Sequence, residues 1–349
     1  MKNSLFTILV VFVVVLGSCS TNVDLYTDYK DVAIIYAMID PKADTNYVKI
    51  IRAFCGSNDE PIDASEIALI ADSSNYPGKL EARFIELKSI NDGPFEPTNR
   101  EFALDTITIH NKELGTFYAP DQKLYYTTEQ FHRDKDGQKY KYRIIVVKPN
   151  GDTLTGLTGM VGSEEFKIVS GHTSFQLTPS NAMGKITFIA DGEASLYDVK
   201  MQFNYREQHI GQPMERKYVS RSFGTRSIDQ YEVFKEDIYY VEYSVNWLFN
   251  ALENKIGADT VVDANHPNVV RYIDDFVVSI SAGGHELYYY YVANQAQLNS
   301  PISLISSYTN IDGGYGLFSS RTTIEKSLSL SASTKRELFS LRSWGFMQE

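Results

Sequence analysis

Tyr197-Asp198-Val199-Lys200-Met201-Gln202-Phe203-Asn204-Tyr205 is the stretch whose reading decides the fold class. Apolar or aromatic side chains hold every odd position and polar ones every even position. That period of two belongs to a strand with one buried face and one wet face. Weaker versions run from Lys185 to Ala190, Lys217 to Phe223, Tyr231 to Tyr243 and Tyr272 to Ser281. Nearer the start, Val32, Ile34, Tyr36 and Met38 alternate, Asp40-Pro41 marks a turn, and Val48, Ile50, Arg52 and Phe54 alternate again, which predicts two antiparallel strands. Leu80 to Leu87, Phe102 to Ile109 and Tyr140 to Val147 are further strand candidates. Between them stand the turn clusters Asn91-Asp92-Gly93-Pro94, Asp134-Lys135-Asp136-Gly137 and Pro149-Asn150-Gly151-Asp152. Asn150-Gly151 is the strongest hairpin signal, because both residues tolerate positive φ.

The expected fold is mainly β. Residues 31–164 read as an immunoglobulin or fibronectin III-like β-sandwich, because about seven short strands are punctuated by turns. The small-residue stretch from Thr155 to Gly162 marks a boundary, and residues 165–349 read as a second, mostly antiparallel β domain carrying two or three short helices. Val245, Leu248, Phe249, Leu252 and Ile256 recur at helical spacing, with Gly257 placed as a C-terminal cap. Glu286 to Leu298 is a second helix candidate. Thr334 and Glu337, at capping-box spacing before Leu338 and Leu341, begin a third.

The N-terminus carries an address. Lys2 precedes an apolar run from Leu5 to Leu16, which is shorter than the roughly 20 residues a membrane-crossing helix needs. Leu16-Gly17-Ser18-Cys19 closes it with a large apolar residue, two small ones and a thiol, as the bacterial lipobox does. Residues 1–18 are therefore expected to be a lipoprotein signal peptide, Cys19 the lipidated residue, and residues 19–30 a polar tether. The expected location is the cell envelope, lipid-anchored at the outer membrane, with the face left open. Buried methylenes contribute about 0.8 kcal/mol each, so several acyl chains hold such an anchor in a bilayer. With Cys19 acylated, Cys55 has no disulfide partner and reads as a small buried hydrophobe.

The formal charge is −11, and loss of Lys2 with the leader makes it −12. Such a body repels nucleic acid, and no dense Lys/Arg cluster offsets it. Neither metal nor cofactor is expected: the six histidines never stand at i, i+4, and P-loop, dinucleotide, G-x-S-x-G and paired-cysteine patterns are missing. Asp134-Lys135-Asp136-Gly137 lacks the glycine position and closing Glu of a calcium loop. Asp274-Asp275 is the densest acidic spot beside a strand. Neighbours on a regular strand face opposite sides, so the pair forms one site only if a bulge intervenes, and a solvated strand start is the expectation. The 24 tyrosines, with Tyr239-Tyr240 and Tyr288 to Tyr291 among them, read first as sheet-face and core residues and second as ligand platforms. Asp312, Gly313, Gly314, Tyr315 and Gly316 form the oddest stretch and are the candidate ligand-facing loop.

Four segments together resemble the family called domain of unknown function 4249: Ala33 to Pro41, Tyr47 to Phe54, Tyr140 to Ile144 running into Gly151 to Leu154, and Gly314 to Phe318. The likeness spans nearly the whole chain after Cys19 and contains no catalytic motif. It implies an exported lipoprotein of the kind often encoded beside TonB-dependent outer-membrane receptors. The functional expectation is therefore a non-enzymatic envelope lipoprotein, partnered by the lipid bilayer and a TonB-dependent receptor, that serves nutrient binding or uptake. A hydrolase of surface polysaccharide or protein, and a structural or adhesive module, are the alternatives.

Overall fold

The computed structural model describes residues 32–53, 74–110, 113, 121–170, 175–178, 182–256, 268–298, 308–340 and 344–348. The leader, the tether, Cys19, Cys55 and Gly257 lie outside the described residues. What is described is mainly β, with sandwich packing and three short helices.

The first eight strands are β1 (Val32–Ile39), β2 (Asn46–Ala53), β3 (Glu81–Ile90), β4 (Glu96–Ala103), β5 (Asp105–Ile109), β6 (Gln122–Thr127), β7 (Gln138–Val147) and β8 (Thr153–Gly159). β1 and β2 pair antiparallel from Val32↔Ala53 to Ala37↔Val48, as their alternation predicts. The β7–β8 hairpin also forms at Asn150-Gly151. Its turn centres on Pro149-Asn150, closed by the Gly151 amide on the Lys148 carbonyl at 2.9 Å, and only Gly151 takes positive φ, +89°. The expected single strand from Phe102 to Ile109 is instead two. Leu104 is buried and its amide donates to the Ala82 carbonyl at 2.8 Å, so the chain crosses there from the sheet of β4 to the sheet of β5.

The remaining strands are β9 (Lys167–Ile168), β10 (Met183–Ile189), β11 (Ala194–His209), β12 (Glu215–Ser227), β13 (Glu232–Lys235), β14 (Ile238–Ser244), β15 (Val269–Gly284), β16 (Ile311–Asp312), β17 (Tyr315–Leu328) and β18 (Phe346–Met347). Three sheets result. One follows the order β12-β11-β15-β17-β1-β2-β6-β5, with β18 added beside β15. The others are β16-β8-β7-β3-β4 and β13-β14-β10-β9.

The long sheet serves two cores. At the β1 end, Ala33, Ile35, Ala37 and Ile39 face Phe84, Tyr142, Ile144 and Val146 of the five-stranded sheet. At the β11 end, Tyr197, Val199, Met201, Phe203 and Tyr205 face Phe188, Val241 and Tyr243 of the four-stranded sheet. All five inward residues of that strand are 0–1% exposed, so the alternation that opened the sequence reading is the core of the second sandwich. Each such side chain contributes about 1.5–3 kcal/mol by leaving water. β17 joins the cores. Tyr315 to Ser320 pair parallel with Ile34 to Ile39, and Arg321 to Leu328 pair antiparallel with Gly283 to Phe276. Phe318 thus stacks on Phe84 at 5.5 Å in one core while Leu328 sits in the other. At the crossing, Ser320 is buried; its hydroxyl donates to the Gly159 carbonyl at 2.6 Å and accepts from the Val161 amide at 3.0 Å.

Helix α1 (Trp247–Ile256) buries Leu248, Phe249, Leu252 and Ile256, the residues whose spacing predicts it. α2 (His285–Leu298) follows β15 directly, and α3 (Ala332–Ser340) follows β17. α3 starts earlier than its capping signal implies. Ser331 accepts the Thr334 amide at 3.2 Å, and the Thr334 hydroxyl accepts from the Leu177 amide at 2.9 Å instead.

Candidate functional site

Burial along β15 changes phase once. Val269 and Arg271 face inward with odd numbers, then Phe276, Val278 and Ile280 face inward with even numbers. From Tyr197 to Tyr205 the partner strand β11 keeps its phase. Between the pairs Phe203↔Phe276 and Tyr205↔Ile273, Asn204 therefore stands opposite two residues, Asp274 and Asp275. This is a β-bulge, and it turns both carboxylates to the outer face of the sheet. The condition under which the two acids share a site is met, and the expectation of a plain solvated strand start gives way to it.

Neighbouring outward residues hold the pair. Arg206 Nε lies 2.6 Å from Asp274 Oδ1, and Asn204 Nδ2 donates to Asp275 Oδ1 at 2.7 Å. Gln202 in turn donates to Asn204 at 2.9 Å, which fixes the amide. The Arg206 guanidinium also lies 5.6 Å from the Tyr272 ring centre. On the far side, β12 sets Arg216 directly opposite Arg206 and Tyr218 opposite Asn204. Like charges facing each other across strands repel. Arg216 is exposed and has no carboxylate partner among the described residues, so it presents a cation to whatever enters.

Two open clefts share Asp274 and Asp275. One, of about 670 Å³, is lined by Asn204, Arg206, Arg216, Lys217 and Tyr218. The other, of about 390 Å³, runs toward Ser327, Ser329, Lys335 and Gln348. The arrangement offers anchored acceptors for hydroxyl or ammonium groups and a guanidinium for an acid, the few convergent polar groups that fix a ligand's orientation.

Other candidates are placed differently. Asp312 pairs with Thr155 of β8, Gly313 adopts φ +79°, and Gly314 lies against Leu154 and the Ala33 backbone. Gly316 lies against Ile35. Close packing thus accounts for the three glycines, while the Tyr315 side chain is half exposed. The Asn310 side chain clamps this stretch by pairing with both the amide and the carbonyl of Phe318. The four described histidines each have their own partner: His110 with Asp121, His132 with Glu86, His209 with Glu207, and His285 with Ser195. His285 Nδ1 stands 2.5 Å from Ser195 Oγ, but the adjacent Glu286 turns away to accept from Thr158 and Ser319. Among the described residues, Ser195 and His285 thus lack the carboxylate that orients the base in a triad. Among the described residues no group of three His, Cys, Asp or Glu is placed to hold a metal ion.

No protein-family model and no curated protein matches the chain.

Proposed function

We propose that this is a non-enzymatic, lipid-anchored protein of the cell envelope that binds a polar ligand at the Asp274–Asp275 bulge and works beside a TonB-dependent outer-membrane receptor. The anchor rests on Lys2, the apolar run and Leu16 to Cys19. The receptor rests on the family resemblance. Among the described residues no helix is long and apolar enough to cross a membrane, which suits a body held by lipid. One observation carries the binding role: both carboxylates share one outward face, each already oriented by Arg206 or Asn204, beside the cation of Arg216. A preorganised polar set of this kind favours recognition, because little side-chain entropy is left to lose on binding.

Metabolic labelling with an alkyne fatty acid, followed by detergent extraction and purification of the protein with its neighbours, tests this. The expectation is a label lost in Cys19→Ser and a co-purifying β-barrel receptor. An unlabelled protein sinks the anchor, and a labelled protein that brings down no receptor sinks the partnership. The bulge also favours a second reading, a glycoside hydrolase, since such enzymes work with two carboxylates on one cleft. Turnover of a surface polysaccharide that disappears in Asp274→Asn or Asp275→Asn decides for the hydrolase.

A further inference from the structure

The long sheet has a second open groove on the outer face of its other half, about 380 Å³ in volume, far along the strand order from the bulge. Tyr36, Tyr47, Lys49, Leu124, Leu317 and Arg321 line it. Tyr36 and Tyr47 come from neighbouring strands and remain 42% and 44% exposed. Tyr126, directly across from Tyr47 on β6, continues the row with a ring-to-ring distance of 6.4 Å. Three adjacent strands at about 4.8 Å spacing make this aromatic row roughly 10 Å long, the scale of a disaccharide. The Tyr36 hydroxyl lies near that of Tyr290 of α2.

We propose that this groove binds an oligosaccharide bearing a sparse carboxylate, such as a uronic-acid unit. The C–H faces of pyranose rings lie on the tyrosines, and their hydroxyls meet the polar rim of Thr45 and the Asp40 carboxylate, an acceptor for sugar hydroxyls that adds to the bar on densely charged ligands. Arg321 supplies the acid-reading group. It is exposed at the end of the groove and has no carboxylate partner among the described residues, and its planar fork matches a carboxylate in a way an ammonium does not. Lys49 stands beside Tyr36 in the ladder and adds a second cation. The formal charge of −11 on the whole chain restricts the ligand to a sparsely charged one, since a dense polyanion is repelled at long range. The site is independent of the bulge and of the anchor.

Calorimetric titration of the intact protein in detergent micelles tests it, with a galactotriose carrying one galacturonate unit and neutral galactotriose as probes. The singly charged sugar is expected to bind at least tenfold more tightly than galactotriose. Tyr36→Ala and Tyr47→Ala should each weaken both sugars about tenfold, whereas Tyr36→Phe, which keeps the ring, should not. Arg321→Gln should abolish the preference between the two sugars and leave the neutral one unchanged. Circular dichroism melts establish that each variant is folded. Binding of neither sugar overturns the proposal, as does binding indifferent to Tyr36→Ala or Arg321→Gln. A loss of binding in Asp275→Asn equal to that in Tyr36→Ala also overturns it, because it moves the sugar to the bulge.

Discussion

Gly316 lies so close over Ile35 that a Cβ on it would overlap the Ile35 carbonyl group, and its φ is +120°. This close approach allows the parallel pairing of β17 with β1, the seam between the two cores. A backbone atom cannot swing aside as a side chain can, and an L-residue at that φ is strained as well. Gly316→Ala is therefore expected to cost about 3 kcal/mol or more, and roughly 5–10 °C in Tm by calorimetry. Gly192→Ala is the control, because nothing lies within 4 Å of a Cβ built there. Equal melting of the two variants would refute the seam's dependence on Gly316.

Glu86 is 2% exposed and sits among Arg100 Nη1 at 2.9 Å, the Tyr142 hydroxyl at 2.8 Å and the Thr98 hydroxyl at 3.0 Å. A buried charge is tolerated only when paired, and removing one partner leaves the desolvation cost uncovered. Arg100→Met is expected to destabilise by about 3 kcal/mol in urea unfolding. Adding Glu86→Gln should recover part of that loss, because the uncompensated charge goes with it. A double variant less stable than the sum of the single changes would contradict this account.

Much of this fold was legible in the sequence, and what was not has identifiable causes. Alternation through Tyr197 to Tyr205 marks a strand because burial is one-sided there, and the spacing from Val245 to Ile256 marks α1 for the same reason. The β1–β17 pairing leaves no such mark. Its partners come from opposite ends of the described chain, and only the glycines at 313, 314 and 316 hint at close packing. Leu104 continues the apolar rhythm of Phe102 while changing sheets, so the break at that point is silent. At the site, the phase change from Val269, Arg271 and Ile273 to Phe276, Val278 and Ile280 is written in the residues. The inward, fully buried Arg271, bonded to Glu207 and the Trp344 carbonyl, disguises it as a polar outward position. Asn204, Arg206 and Arg216 carry no local signal, because only strand register brings them to the acids.

Asp134 titrates well above the usual carboxylate range, at about 6. Burial is the main cause, opposed by the Tyr140 amide it accepts and reinforced by Glu193 and Asp191. Its folded pKa lies above its unfolded value of 3.8. The favourable contribution is therefore complete below that unfolded value and is lost as pH rises through about 6. Asp134→Asn keeps an acceptor for Tyr140 and cannot ionise. The variant should melt higher than the parent at pH 7.5, by about 1 kcal/mol once solvent screening of this half-exposed group is allowed for. The difference should vanish near pH 3.5. A gap that widens toward acid would show that Asp134 stabilises as the anion.

Deleting Asp274 tests the bulge itself. Because two residues of β15 oppose Asn204 alone, removal of one restores a one-to-one ladder while Arg271 and Phe276 keep their inward sides. Deleting Val278, inside a regular stretch, instead flips one flank of the strand, turning core residues out and polar ones in. The Asp274 deletion is therefore expected to retain a cooperative melt within a few degrees of the parent, whereas the Val278 deletion should lose it. Near-UV circular dichroism, which reports the packed tyrosines of β11, separates the two. Comparable damage from both would mean that β15 and β11 do not hold this register. The Asp274 deletion also leaves one outward carboxylate where there were two, so ligand binding at the cleft should fall while the fold persists, which separates recognition by the acid pair from mere support of the sheet.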